Sequence, residues 1–279
     1  SDRSREGVES FAVEDYELLY YDEGFSTVVT VARSLETGNI WLANNGKVEA
    51  STTVDMLTQV LVSHLPFLFN PGAERVSLIG LASGITAGAL TLHPQVSEIE
   101  VVELEPSIIE ASHAFDAMNH RPLEDARVEV VIADGRNHLL FTPEGAWDVI
   151  VSQPSNPWLS GVSNLFTREF FEMGRDRLSE RGVWSQWVQL YGMGQEDLRS
   201  LLATFRSVFP HVAVFSTIED ADIVLIGSQY PLEFGLEEAR RLMAGPVGEQ
   251  LVELGVEGPY DLLLHHMMNE KGLDALVEG

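Results

Sequence analysis

The sequence predicts an α/β fold: a doubly wound parallel sheet preceded by a small unit of β-strands. From Val76 onward, apolar segments such as VSLIG, IEVVE, VEVVI and WDVIVS alternate with segments of helical periodicity, and such alternation is typical of a doubly wound sheet. Before it, short β-rich segments are separated by turn signals such as Asn45-Gly46. We therefore expect an N-terminal β-strand domain at 1–52, an α/β domain at 53–230, and a helical C-terminal segment at 231–279.

The order of the elements follows from apolar runs and breakers. A helical segment at about 54–69 ends at Asn70-Pro71-Gly72, because proline and glycine interrupt a helix. Val76–Ile79 is an uninterrupted apolar run, as expected for a strand covered on both faces. Further along, we expect strands at Glu98–Val102 and VWSQWVQ, helices at 106–118, after Asp134, after Thr167 and at 196–208, and an antiparallel pair formed by Val212–Ser216 and Asp222–Gly227.

The composition limits the classes of function. A chain of 279 residues, 45% hydrophobic, is long enough for a globular core. It has no apolar run of the roughly 18 residues that a membrane span needs, and its zero cysteines exclude disulfides and suit a reducing compartment such as the cytoplasm. The net charge of −26 argues against a nucleic-acid partner and favours cationic small molecules, although an acidic surface can also serve solubility alone.

A glycine-rich turn follows the first strand of the α/β domain. Gly80, Gly84 and Gly88 permit sharp backbone turns and close approach of a ligand. Glu103 ends the next strand, where a carboxylate can accept hydrogen bonds from both ribose hydroxyls. The turn lacks the G-x-G-x-x-G spacing that seats a pyrophosphate, so a nucleoside without phosphates fits it better.

Other polar residues have two interpretations each. Asp134 lies between a strand and a helix and is either an N-cap or a ligand contact; the combination with Glu103 and the glycine turn favours the ligand. Trp158 lies on a loop, where an aromatic side chain tends to contact a ligand. Gln186 lies near the end of a strand and is either a substrate contact or a buried, hydrogen-bonded residue. The histidines show no ligand spacing such as HExxH, so we expect no metal.

With these residues placed, the chain resembles the spermidine/spermine synthase family, a branch of the class I fold that binds S-adenosylmethionine-type sulfonium compounds. The resemblance rests on the glycine turn, on VVELEP, on VIADGRNHL and on WDVIVSQPSNPWLSGVSNLFTREFF. It implies a class I S-adenosylmethionine-dependent transferase whose donor is bound by Gly80, Gly84, Glu103, Glu105, Asp134 and Gly135.

The substrate loop departs from the family's pattern. Gln153 and Asn156 occupy positions where spermidine synthases carry acids, the first of which accepts a proton from the attacking amine. An amide can orient a nitrogen but has no titratable group to act as a base. Because an aliphatic amine has a pKa of about 10.4, presenting it neutral at pH 7 costs about 4.6 kcal/mol. Asp55, Glu49 and Glu105 are candidates for the missing base, and the sequence does not rank them.

The resemblance implies transfer of an aminopropyl group from decarboxylated S-adenosylmethionine to a polyamine-type amine. Gln153, Asn156 and Asp55 are the catalytic candidates, and Gln59, Trp158 and Gln186 the substrate-binding ones. Two alternatives stay open: a methyltransferase that uses S-adenosylmethionine, and a non-catalytic domain that binds a nucleoside or polyamine.

The resemblance also implies assembly and location. Family members often dimerise, so a homodimer is expected. The subgroup with this substrate loop is often joined to transmembrane helices, so this chain, which begins at Ser1, is expected in the cytoplasm or on the cytoplasmic face of a membrane protein.

Overall fold

The computed structural model describes residues 15–155 and 162–278. The first strands form a separate antiparallel sheet of four, in sequence order. They are β1 (Tyr16–Glu23), β2 (Val28–Ser34), β3 (Ile40–Asn44) and β4 (Lys47–Ser51). The small N-terminal β unit expected from the sequence is therefore confirmed.

The second sheet has eight strands and carries the α/β domain. Its strands are β5 (Arg75–Ile79), β6 (Glu98–Glu103), β7 (Val128–Ile132), β8 (Trp147–Ser152), β9 (Leu178–Gln189), β10 (His211–Ile218), β11 (Asp222–Ser228) and β12 (His266–Asn269). The order is β12-β10-β11-β9-β8-β5-β6-β7. Strands β9, β8, β5, β6 and β7 are parallel, whereas β11, β10 and β12 join antiparallel, which confirms the predicted α/β class and the final antiparallel pair.

The helices of the described residues connect and cover these strands. They are α1 (Met56–His64), α2 (Pro66–Phe69), α3 (Ile85–Thr91), α4 (Ser107–Ser112), α5 (Gly135–Phe141), α6 (Arg168–Arg177), α7 (Gln195–Val208), α8 (Leu236–Leu242), α9 (Pro246–Glu253), α10 (Pro259–Leu264) and α11 (Glu270–Glu278). The helix expected at 54–69 is divided at Pro66, whose ring disfavours a continuous helix. None of these helices combines the length and apolarity needed to cross a membrane.

The C-terminal segment differs from the all-helical prediction. Strand β12 interrupts its helices and pairs with β10, which would otherwise be the edge of the large sheet. The exposed N–H and C=O groups of an edge strand favour such pairing. The segment after residue 230 is therefore partly built into the sheet, and the domain boundaries at 52 and 230 stay predictions.

The strand order places a topological switch point between β5 and β8. From β5 the chain moves outward to β6 and β7, then returns to the other side of β5 to form β8 and β9. The connections leaving β5 and β8 therefore diverge and open a crevice at the carboxyl ends of these strands, where α/β proteins bind ligands. Gly80 and Gln153 follow these two ends directly.

A chain of polar side chains, three of them buried, ties α1 to α9. His64 Nδ1 lies 2.9 Å from His93 Nε2, and His64 Nε2 lies 2.9 Å from Gln250 Oε1. Gln250 Nε2 continues the chain to His120 Nε2 at 3.0 Å. One set of neutral tautomers satisfies every contact: His93 donates to His64, His64 donates to Gln250, and Gln250 donates to His120.

This network predicts acid sensitivity of the fold. Burial lowers the pKa of His64 to about 4 from an ordinary 6.5, and burial also lowers the pKa of His93. Below pH 6.5 these histidines bind protons in the unfolded chain but stay neutral in the folded chain. The free energy of unfolding therefore falls as the pH falls towards 4. We expect His64 alone to remove about 3 kcal/mol of unfolding free energy over this window, measured by urea denaturation.

Two variants test the assignment. The exposed His113, changed to Gln, should leave the pH dependence unchanged. His64→Gln should make the slope of unfolding free energy against pH shallower by about one proton. An unchanged slope in His64→Gln would show that other groups cause the acid sensitivity.

Candidate active site

The glycine turn after β5 is shaped by close backbone packing. Gly80 has φ +96° and Gly84 has φ +76°, both in the region that favours glycine. A Cβ atom on Gly80 would lie 2.7 Å from the carbonyl oxygen of Gln153. A glycine at this position therefore lets the ends of β5 and β8 approach each other at the switch point.

Glu103 lies at the carboxyl end of β6, facing this turn. Its Oε2 accepts a hydrogen bond from Leu81 N at 2.8 Å, and its Oε1 accepts one from Glu105 N at 3.0 Å. Burial raises the pKa of Glu103, and the backbone N–H groups around it oppose that rise. Each carboxylate oxygen keeps a second lone pair, so the side chain is held in place and can still accept hydrogen bonds from a ribose.

Asp134 and Gly135 lie at the end of β7, beside Glu103. Asp134 caps α5, because its Oδ1 accepts a hydrogen bond from Asn137 N at 2.8 Å. A Cβ on Gly135 would lie 2.6 Å from Ile79 Cγ2, so glycine lets α5 pack against β5. The N-cap interpretation of Asp134 is confirmed, and its second oxygen stays available for the adenine contact that the resemblance implies.

The surroundings of Glu105 do not match the donor contact that the resemblance implies. Its side chain is 4% exposed and accepts hydrogen bonds from Phe25 N at 3.1 Å, Ser26 N at 2.6 Å and Ser107 Oγ at 3.1 Å. Although burial raises its pKa, these hydrogen bonds, with Ser26 first, lower it to about 2. Both oxygens are occupied by protein donors. Glu105 therefore joins the β1–β2 turn to the α/β domain, and we leave it out of the donor site.

A cavity of about 100 Å³ lies against the glycine turn and is lined by side chains from both sheets. It brings together three of the predicted site residues, Asp55, Gln59 and Gln153. The remaining lining residues are Val48, Glu49, Thr58, Trp187, Tyr191 and Asp222. We call this cavity the acceptor pocket.

Two amides connect the acceptor pocket to the glycine turn. Gln59 is buried and links the small sheet to the glycine turn: its Nε2 donates to Ser51 O at 3.0 Å, and its Oε1 accepts from Ser83 Oγ. The Oε1 of Gln153 accepts a hydrogen bond from Thr86 Oγ1 at 2.6 Å. Because Ser83 lies in the turn that begins at Gly80, and Thr86 lies in the first turn of α3 directly after it, the pocket is next to the predicted donor site.

The pocket is strongly acidic. Burial, followed by the charges of Asp222, Asp55 and Glu49, raises the pKa of Tyr191 to about 12. Glu49 is already paired, with Lys47 Nζ at 3.0 Å and Ser155 Oγ at 2.6 Å. Asp55 and Asp222 are the carboxylates left to hold a cation, which matches an amine substrate.

Two pocket residues, Asp222 and Tyr191, were missed by the sequence analysis. Asp222 begins β11 opposite Gln189, the last residue of β9, and Tyr191 follows that end of β9 by two residues. A charged residue at the start of the apolar segment DIVLIGS was the only signal in the sequence. That signal does not reveal which other strand end lies beside it.

The remaining predicted substrate residues lie elsewhere. Gln186 is 0% exposed, accepts from Trp184 Nε1 at 3.2 Å and donates to Trp187 O at 3.0 Å. Its side chain points to the opposite face of β9 from Trp187, because side chains alternate along a strand. Gln186 is therefore buried and hydrogen-bonded, as its second interpretation expects, and its side chain does not line the acceptor pocket. Asn156 and Trp158 lie outside the described residues.

The chain belongs to the spermine/spermidine synthase domain family, whose model matches residues 56–219, more than half of the sequence. A spermidine synthase of Dictyostelium discoideum is 23% identical over 203 residues, which are 73% of this chain and 70% of that protein. Putrescine N-methyltransferase 1 of Nicotiana tabacum is 24% identical over 72% of this chain, which spans 53% of its length.

Solved structures show the same fold. A spermidine synthase in complex with the transition-state analogue AdoDATO has a TM-score of 0.74 at 20% identity, and the match covers 85% of this chain and 84% of that chain. The spermidine synthase from Thermotoga maritima has a TM-score of 0.71 at 20% identity and 81% coverage of this chain, 78% of its own. The class I transferase fold expected from the sequence is therefore confirmed.

The geometry at Glu103 predicts a loss of nucleoside binding in Glu103→Gln. An amide has one acceptor oxygen, so either Leu81 N–H or Glu105 N–H would face an NH₂ group. We expect the affinity for 5′-methylthioadenosine, measured by calorimetry, to fall roughly 10- to 100-fold. Glu98→Gln, an exposed change at the other end of β6, is the control. Equal affinity in both variants would remove Glu103 from the donor site.

The contacts of Glu105 predict a loss of stability in Glu105→Gln. The amide would turn one NH₂ group towards backbone or hydroxyl donors, so we expect the free energy of unfolding to fall by about 3 kcal/mol. Glu110→Gln, an exposed change on α4, should change it by less than about 0.5 kcal/mol. Chemical denaturation at pH 7 measures both, and a neutral Glu105→Gln would contradict the structural role.

Proposed function

We propose that this protein transfers an aminopropyl group from decarboxylated S-adenosylmethionine to a polyamine-type amine. The observation that carries the proposal is the acidic acceptor pocket next to the glycine turn, linked to it through Gln59 and Gln153. The relatives named spermidine synthase support it.

In this proposal, the ends of β5, β6 and β7 bind the nucleoside. Gly80 and Gly84 supply the turn, Glu103 the ribose contact, and Asp134 with Gly135 the adenine contact. Two features of these residues suit a nucleoside. Glu103 keeps free lone pairs, and Gly80 lacks the Cβ atom that would meet Gln153 in the floor of the crevice. The donor, when bound, supplies an activated sulfonium leaving group, and the chain's residues position the amine and exclude water.

The charges of the pocket favour the decarboxylated donor. Asp55 and Asp222 would repel the carboxylate of S-adenosylmethionine, whereas they attract the ammonium groups of an aminopropyl chain or a diamine. Gln153 orients the nucleophilic nitrogen through its amide, held by Thr86. The reaction forms the new C–N bond and breaks the C–S bond, and a neutral thioether leaves.

Methyl transfer to the same class of amine is the second candidate. It is favoured by the similarity to putrescine N-methyltransferase, a relative whose name pairs an amine acceptor with a methyl donor. In this candidate, the amides Gln153 and Asn156, which stand where acids are expected, lessen the repulsion of the donor carboxylate.

The two candidates and simple binding are separated by one experiment. The protein is incubated with a diamine and each donor in turn, and the products are identified by mass spectrometry. With the decarboxylated donor we expect an aminopropylated amine. We expect Glu103→Gln to form less of it. A methylated amine would favour the second candidate, and nucleoside binding without any product would contradict both.

We also predict the assembly and the location of the protein. A homodimer, attachment to a membrane domain and a place in the cytoplasm all follow from the resemblance. Size-exclusion chromatography with light scattering measures the first of these directly.

A further inference from the structure

The acceptor pocket contains a buried carboxylate oxygen that lacks a partner among the described residues. Asp222 is 4% exposed, and its Oδ2 accepts a hydrogen bond from Thr58 Oγ1 at 3.1 Å. Its Oδ1 is buried and makes no hydrogen bond of good geometry with any described residue, and the same is true of the indole Nε1 of Trp187, which lines the same pocket. Leaving a carboxylate oxygen buried and unpaired is costly, so its persistence at a ligand cavity indicates that a ligand supplies the donor.

The surroundings of Asp222 fix its orientation. Thr58 Oγ1 lies 2.8 Å from Thr217 Oγ1. Because the single hydrogen of Thr58 is donated to Asp222, Thr58 accepts from Thr217. These two hydroxyls, on α1 and β10, hold the carboxylate at the start of β11 with one oxygen left over. Asp222 is thus placed on a rigid strand and not on the substrate loop.

The other acidic candidates are already engaged or more open to water. Glu105 is bound to the β1–β2 turn, and Glu49 is bound by Lys47 and Ser155. Asp55 is half-buried and makes no capping hydrogen bond with α1. The structure therefore ranks the candidates that the sequence left equal, and it adds Asp222 above them.

We propose that Asp222 accepts the proton of the attacking amine, in place of the acid that Gln153 replaces. This inference rests on the proposed function and names the base for that reaction. The ammonium gives one proton to Asp222 Oδ1 and becomes a neutral amine. The amine nitrogen then forms a bond to the donor carbon as the C–S bond breaks, the thioether leaves with the electron pair, and the proton passes from Asp222 to solvent.

The electrostatics agree with this role. Burial raises the pKa of Asp222, the hydroxyl of Thr58 and the nearby indole N–H of Trp187 oppose the rise, and the charge of Asp55 adds to it. The other ionisable groups around the pocket are Glu49 with its partner Lys47, and Tyr191. A carboxylate with a raised pKa takes a proton from an amine more readily than an ordinary aspartate does. Asp55 then holds a cationic group of the substrate at the mouth of the pocket.

The test uses Asp222→Asn and a series of primary amines whose pKa values decrease through electron-withdrawing substituents. We expect kcat/KM for an unsubstituted diamine to fall at least about 100-fold, and the loss to shrink as the pKa of the amine decreases, because a neutral amine needs no base. Asp55→Asn should raise KM, and the factor should be about the same for every amine in the series.

Asp220→Asn is the matched control. It makes the same chemical change two residues away, on an exposed turn with φ +58°, a conformation that asparagine tolerates well. It should leave kcat/KM unchanged for every amine. If Asp222→Asn loses the same factor with every amine, or loses nothing, the inference is wrong.

Failure of the proposed function has a separate signature. If the wild type forms no aminopropylated amine, that function fails, whatever Asp222 does. Asp222 is then tested by calorimetry of diamine binding in the presence of 5′-methylthioadenosine. Binding about 10-fold weaker in Asp222→Asn would support contact with the amine, and equal affinity would overturn it.

Discussion

The shape of the site depends on the contact between Glu105 and the β1–β2 turn. The two sheets of the protein have separate hydrogen-bond networks, and the acceptor pocket is lined from both. Glu105 binds backbone N–H groups that no strand partner satisfies, so it holds the small sheet against α4. Glu49 on β4 then reaches Ser155 at the start of the substrate loop. Without this arrangement, the pocket would lack one wall.

A second constraint comes from concentrating negative charge in a partly buried place. Carboxylates beside one another disfavour ionisation, and burial adds to that cost. The protein reduces the cost by pairing Glu49 with Lys47, and at Asp222 it reduces the cost only in part, through the hydroxyl of Thr58. The raised pKa of Tyr191 reports the same field, because a phenolate would be a further anion. A cationic substrate relieves this repulsion, so charge and substrate class are linked by the same electrostatics.

Much of the fold, and the places of several candidate site residues at strand ends, followed from the sequence because they depend on local order. An apolar run, a glycine turn and a terminal acid placed Gly80 and Glu103 correctly at neighbouring strand ends. Glu105 was assigned to the donor site because two residues of separation do not reveal that its side chain points to the other sheet. Gln186 is one residue from Trp187, which lines the pocket, and the alternation of side chains along β9 puts Gln186 on the opposite face. Asp222 depends on the pairing of β9 with β11, a long-range contact that no local pattern encodes.

The substitution at position 153 acquires a physical explanation once the pocket is assembled. In the family pattern the acid lies on the substrate loop, whereas Asp222 lies on a strand that is hydrogen-bonded to β9 and β10 on its two sides. The neighbouring strands hold such a base on both sides, and Thr58 orients it from α1. The loop residue then needs only to orient the amine, which an amide does as well as an acid. Gln153 and Asp222 thus divide between them two tasks that a single loop acid would otherwise combine.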